Sequence, residues 1–122
     1  MPINLITQVT NFTLTPAIEE YLSKKLVALE KFIDSTDTGA QAEVELENTT
    51  KHHRSGTIFR AEINLHIAHG DFRAEETAED LYSAIDLMKD EIVRVVTEHK
   101  DKERTRARKG AHEAKDLLRD SS

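Results

Sequence analysis

The sequence predicts an α+β domain of order β-α-β-β-β-α, with two helices packed on one face of a four-stranded sheet. Three observations predict it. Apolar and polar residues alternate along residues 41–48 and 59–67, the period of half-buried strands. Apolar residues recur at spacings of three and four along residues 18–33 and 81–96, the stripe of an amphipathic helix. The chain has 122 residues, the length of one domain, and contains no internal repeat.

The first strand is expected over residues 3–9 (INLITQV), rich in Ile, Leu, Thr and Val, with a turn at Thr10-Asn11. Thr15-Pro16 then supplies a helix start, with Thr as N-cap and Pro at the first helical position, where its missing N–H costs nothing. Ile18, Leu22, Leu26, Leu29 and Ile33 form the stripe, flanked by Tyr21 and Phe32. The helix is expected to stop near Asp34-Ser35, before the turn chemistry of Thr36-Asp37-Thr38-Gly39.

In the second strand Ala42, Val44 and Leu46 face the core, and Glu43, Glu45 and Glu47 face water. A polar, basic connection follows (residues 49–56), too long for a tight hairpin. Phe59, Ala61, Ile63, Leu65 and Ile67 make the inner face of the third strand, opposite Arg60, Glu62, Asn64 and His66. His69-Gly70-Asp71 predicts a turn, with Gly70 free to take a positive φ, and Phe72 and Ala74 a short fourth strand. Thr77 followed by Asp80 resembles a capping box. Leu81, Ile85, Met88, Ile92, Val95 and Val96 then carry a helix to about residue 99. Residues 103–110 stay open between helix and frayed end, since a helix polar all round has no packing to hold it. The last twelve residues read as a mobile tail. A right-handed crossover returns the first strand to the sheet, whose open face is acidic.

Composition excludes several classes. No run of about 18 apolar residues predicts a membrane span, and the first residues lack the pattern of a secretory signal. With no cysteine there is neither a disulfide framework nor a thiolate site, and a cytoplasmic protein is expected. No Gly-rich phosphate loop and no G-x-S-x-G elbow is present, so an enzyme is not expected. His52-His53 and His66-x-x-His69 lack the spacing of a helical zinc pair. No cofactor, metal or small-molecule substrate is expected.

The formal net charge of −6 hides an asymmetry. Residues 1–99 hold 9 basic and 18 acidic side chains, whereas residues 100–110 hold 6 basic and 2 acidic ones. Lys24, Lys25 and Lys31 lie on the polar side of the first helix. Lys89 and Arg94 lie on the second, which leads into Lys100, Lys102, Arg104, Arg106, Arg108 and Lys109. Because both helices pack on one sheet face, their polar sides can meet as one surface suited to a phosphate backbone. Neutralising about six phosphates would give log K a slope of roughly −4 to −5 against log salt. Singly, Lys24, Lys25 and Lys89 are ordinary solubilising residues; the 100–109 cluster is not.

Four stretches carry a family resemblance. Lys25-Leu26 with Leu29-Glu30-Lys31-Phe32 is similar to a K-L-x-x-L-E-K-aromatic pattern. Arg73-Ala74-Glu75-Glu76 is similar to a fourth strand leading into a second helix. Asp80-Leu81-Tyr82-Ser83-Ala84-Ile85-Asp86 is similar to a D-M-Y-A-A-I-D signature, and His99-Lys100-Asp101-Lys102 to the helix end. Across residues 3–104 the chain resembles the ribosome hibernation-promoting factor family, also called sigma-54 modulation proteins. The resemblance implies a translation inhibitor that occupies the decoding channel of the small ribosomal subunit in starved or stationary cells, through contacts to rRNA and without chemistry. Carried over by position, Lys25, Lys31, Arg94, Lys100 and Lys102 match the family's RNA-contacting cations. Arg73 matches but sits on a strand, and Tyr82 and Ile85 match signature positions read as core packing. Asp90, Glu91 and Glu98 depart from the family's more basic helix and shift weight onto residues 100–109.

The expected organisation is a ribosome-binding domain over residues 1–104 and a basic, then mixed-charge, flexible tail over 105–122. The chain is expected to be a short form or a fragment of a long one, and a monomer off the ribosome. Two alternatives stand beside this reading. One is a protein-binding regulator, for instance of a transcription factor, that uses the acidic sheet face. The other is a general double-stranded-RNA binder, a fold that also sets two helices on a sheet but begins with a helix.

Overall fold

The computed structural model describes residues 3–33, 39–49 and 58–120, the last ten of these as helical backbone alone. The elements follow the expected order: β1 (Asn4–Thr10), α1 (Pro16–Glu30), β2 (Gln41–Asn48), β3 (Phe59–Ile67), β4 (Gly70–Ala78) and α2 (Leu81–Asp120). The strands lie side by side in the order β1-β2-β3-β4. β1 runs parallel to β2, which requires the α1 crossover, and the other pairs are antiparallel.

Register decides which side chains meet. Val44 lies opposite Thr7 and Ile63, and Ile63 opposite Ala74, so one face of the sheet is a continuous apolar floor. Ile18, Leu22, Leu26 and Leu29 of α1 and Leu81, Ala84, Ile85, Met88, Ile92 and Val96 of α2 close over it. Among the described residues no polar or charged residue is buried in this core. α2 lies over β3 and β4 and beside α1.

The helix starts have separate causes. Thr15 is the N-cap of α1: its backbone is extended, and its hydroxyl accepts from the Ile18 N–H at 3.2 Å, with Pro16 inside the first turn. At α2 the expected cap at Thr77 is corrected. Thr77 is held extended in β4 opposite Arg60, and Asp80 caps the helix instead. Its Oδ1 accepts from the Ser83 N–H at 2.9 Å and its Oδ2 from the Ser83 hydroxyl at 2.5 Å. The fourth strand is also longer than expected, with nine residues, because it pairs with β3 along its whole length. Gly70 begins it at φ +140°, the positive φ expected of it. Asn11, in the turn after β1, takes φ +63° and donates from Nδ2 to the Asn48 carbonyl at 3.3 Å.

α2 is a single helix to Asp120, so residues 105–120, expected as a tail, have helical backbone. Lys, Arg, Glu and Ala dominate residues 100–109 and favour helix without packing, and one Gly at 110 costs only about 1 kcal/mol. At 1.5 Å per residue the helix is about 60 Å long. The expected stop at Asp34-Ser35, the Thr36–Thr38 part of that turn, the basic stretch 50–57 with His52 and His53, and residues 121–122 lie outside the described residues.

Candidate nucleic-acid interface

The open sheet face and the helical face carry opposite chemistry. On the open face Arg60, only 17% exposed, gathers the carboxylates of three strands. Its Nε donates to Glu47 Oε2 at 2.9 Å, Nη2 to Glu45 Oε1 at 2.8 Å and Nη1 to Glu62 Oε2 at 3.1 Å, while Glu75 lies 3.9 Å away. Arg73 Nη2 reaches Glu62 at 2.5 Å and Glu75 at 2.7 Å. The Arg73 guanidinium, aided by Asn64 and Arg60, holds the Glu62 carboxyl below the usual carboxylate range. Arg73, a candidate RNA contact, therefore belongs to the acidic face. A depression of about 350 Å³ lies on this face, lined by Ile6, Gln8, Glu43, Glu45, Glu62 and Asn64. Its carboxylates repel a phosphate backbone. His66 sits at the same face between Asp71 (2.8 Å) and Glu43 (3.7 Å). Among the described residues no three His, Asp or Glu side chains gather closely enough to hold a metal ion.

Along the seam between α1 and α2, several candidate cations already have protein partners. Lys25 Nζ lies 3.0 Å from Asp86 Oδ1, across the seam, and 5.1 Å from the Tyr21 ring centroid. Tyr21 donates its hydroxyl to the same Asp86 oxygen at 2.5 Å. Burial pushes the Asp86 carboxyl up, but the Tyr21 hydroxyl and Lys25 ammonium outweigh it and hold the group low. Lys89 lies 3.7 Å from Asp90, and Lys24 3.5 Å from Glu20. Lys100 donates to the Phe32 carbonyl and so places a cation at the C-terminal end of α1, where the helix dipole favours it. Arg94 pairs with Glu91 at 2.5 Å and Glu98 at 2.6 Å, the acidic residues that depart from the family pattern.

Cations with no partner among the described residues lie further along. Lys31 follows α1 and is exposed, and residues 101–110 of α2 are exposed throughout. Among the described residues none pairs with Lys31, Lys102, Arg104, Arg106, Arg108 or Lys109. Among the described residues the furthest ion pairs along α2 are those of Glu103, with His99 one turn back in the same helix at 3.0 Å and with His69, before β4, at 3.5 Å. The basic block is not one stripe. Lys100, Arg104 and Arg108 recur every fourth residue along one side, while Lys102, Arg106 and Lys109 lie roughly 140–200° from the middle of that row at about 100° per residue. A helix so charged presents cations to phosphates on two sides at once.

One reading of the sequence is overturned. Ile85 is fully buried, but Tyr82 is 42% exposed and so is not core packing. Tyr82 lies three residues before Ile85 on the side that meets α1, where its ring packs edge-on against Tyr21 with centroids 4.8 Å apart. Its spacing from the apolar stripe was ambiguous; its burial depended on how close α1 lies.

Residues 5–104 match the family described as Sigma 54 modulation protein / S30EA ribosomal protein. A ribosome hibernation promoting factor of Klebsiella oxytoca is 32% identical over 92 residues, which span 75% of this chain and 87% of that protein. A ribosome hibernation promotion factor of a Picosynechococcus strain is 29% identical over 102 residues, 80% of this chain and 49% of that protein. The crystal structure of the Thermus thermophilus Protein Y N-terminal domain superposes with a TM-score of 0.64 at 32% identity, covering 76% of this chain and 94% of that one. Among the described residues no helix is long and apolar enough to cross a membrane.

Proposed function

Since the chain belongs to the Sigma 54 modulation protein / S30EA ribosomal protein family, we propose that it is a ribosome-binding translation inhibitor. It acts as a hibernation factor that occupies the decoding channel of the small ribosomal subunit through contacts to rRNA and blocks mRNA and tRNA by occupancy. Residues 1–104 form the ribosome-binding unit. The observation that carries the reading is the segregation of cations. Arg60 and Arg73 are bound into the acidic sheet face, whereas Lys31, Lys102, Arg104, Arg106, Arg108 and Lys109 stand exposed and unpaired among the described residues, all on or beside the helices. Phosphate contacts of this kind supply most of a nucleic-acid affinity. Lys25, Lys89 and Lys100 contribute their remaining donors at the seam, with Lys24 at its edge and Arg94 on the exposed surface of α2.

Cosedimentation with purified 30S subunits at two salt concentrations tests the reading. Binding is expected to weaken steeply with salt. Replacing Lys102, Arg104, Arg106 and Arg108 together by Gln, which keeps the helix propensity, should flatten the log–log slope by about 3. Absence of 30S binding at low salt would sink the proposal. Binding indifferent to both salt and the fourfold change would move the contact to the acidic sheet face, as a protein-binding regulator requires. Equal affinity for arbitrary RNA duplexes would favour a general double-stranded-RNA binder.

A further inference from the structure

The seam between the helices contains a feature that charge does not explain. Tyr82, in the first turn of α2, leaves 42% of its surface in water, and its hydroxyl has no hydrogen-bond partner among the described residues. Its ring is nevertheless held in place. Tyr21 packs against it at an interplanar angle of 86°, and Tyr21 is itself fixed by the hydroxyl bond to Asp86 and by Lys25 beside its ring. An exposed aromatic ring held by an anchored neighbour, with an ammonium group 5.1 Å from that neighbour's ring, suits a nucleobase. The ring offers a stacking partner to any base, and the cation attracts the phosphate next to it.

We propose that Tyr82 is a stacking platform for an unpaired nucleobase of RNA lying along the α1–α2 seam, with Lys25 positioned for the adjoining phosphate. A paired base inside a duplex already has its faces covered, so the ligand is a base in a loop, bulge or single strand. This deepens the ribosome-binding reading and rests on it for the identity of the RNA. It also supplies what the basic extension lacks, a contact that distinguishes unpaired from duplex RNA.

The chain has no tryptophan, so Tyr82→Trp creates a single reporter at the site. Its emission is expected to be quenched by an unstructured oligouridylate at low salt and far less by a blunt RNA duplex. Equal quenching by both, or quenching by neither, overturns the stacking role whatever the ribosome result. In parallel, Tyr82→Ala and Tyr82→Leu should each weaken 30S binding by at least about fivefold, while Tyr82→Phe binds as the parent does. Leu keeps apolar bulk but not the ring face, so parental binding by Tyr82→Leu also overturns the proposal. Failure of the parent protein to bind 30S, with oligouridylate quenching intact, would refute the ribosome reading and leave the stacking site standing.

Discussion

Replacing Arg60 by methionine removes the cation that holds the acidic sheet face together while keeping an unbranched stem to cover the strands. The guanidinium makes three direct contacts, at 2.8, 2.9 and 3.1 Å, to Glu45, Glu47 and Glu62. The carboxylates are 14–38% exposed, so each pair is worth about 0.2–1 kcal/mol rather than the value of a buried pair. The three together amount to about 0.6–3 kcal/mol, with a middle value of about 1–2 kcal/mol, and unrelieved repulsion across the strands acts in the same direction. In a chain of this size that is a fall in Tm of about 3–8 °C, measured by circular dichroism at pH 7. The pH dependence has a definite sign. The Glu62 carboxyl is held low in the folded parent chiefly by Arg73 and in smaller part by Arg60, so the Arg60 share is present above the unfolded carboxylate pKa of about 4.3 and is lost as pH falls through the lower folded value. Below that value the carboxylates are protonated in both proteins, so the variant's deficit against the parent should be present at pH 7 and shrink towards pH 2. A Tm at or above the parent's at pH 7 would refute the reasoning, as would a deficit that is the same at both pH values.

Other perturbations separate packing from surface roles. Ile85→Ala opens a cavity in the core and should cost about 2–5 kcal/mol in urea unfolding, whereas Tyr82→Ala should cost far less, because its ring is half in water. Comparable losses for the two would contradict the placement of Tyr82 at the surface. Lys100→Met removes the ammonium from the Phe32 carbonyl at the end of α1 and should lower stability by about 0.3–1 kcal/mol. No change in stability would leave Lys100 with an RNA role alone. Asp80→Ala removes the cap of α2 and should lower Tm at pH 7. Its carboxyl is held low by the Ser83 hydroxyl and N–H, so the parent's advantage is present above the unfolded Asp pKa and fades as pH falls through the lower folded value. An advantage that persists to pH 2 would rule out the ionised cap.

By itself the sequence determined the order of elements and which face of each is apolar. Alternation in β2 and β3 and the stripes of α1 and α2 are local periodicities, set by 2.0 and 3.6 residues per repeat, and need no knowledge of neighbours. The Thr15-Pro16 start and the positive φ at Gly70 were legible for the same reason, being properties of one or two adjacent residues. The N-cap at Asp80 was not, because pairing with β3 keeps Thr77 extended, and that pairing joins distant parts of the chain. Only the tertiary structure decided which cations have partners among the described residues. Lys25, Lys100 and Arg73 look as available in the sequence as Lys102 or Arg106, yet they meet Asp86, the Phe32 carbonyl and Glu62. That Tyr82 keeps 42% of its surface in water, even with Tyr21 against its ring, likewise followed only from the packing of α1 beside α2. A hydrogen bond between residues 65 positions apart, as from Tyr21 to Asp86, leaves no mark on local spacing. It follows from how two helices settle on a common sheet, and that packing divides a formal charge of −6 into an acidic face and a basic helical edge.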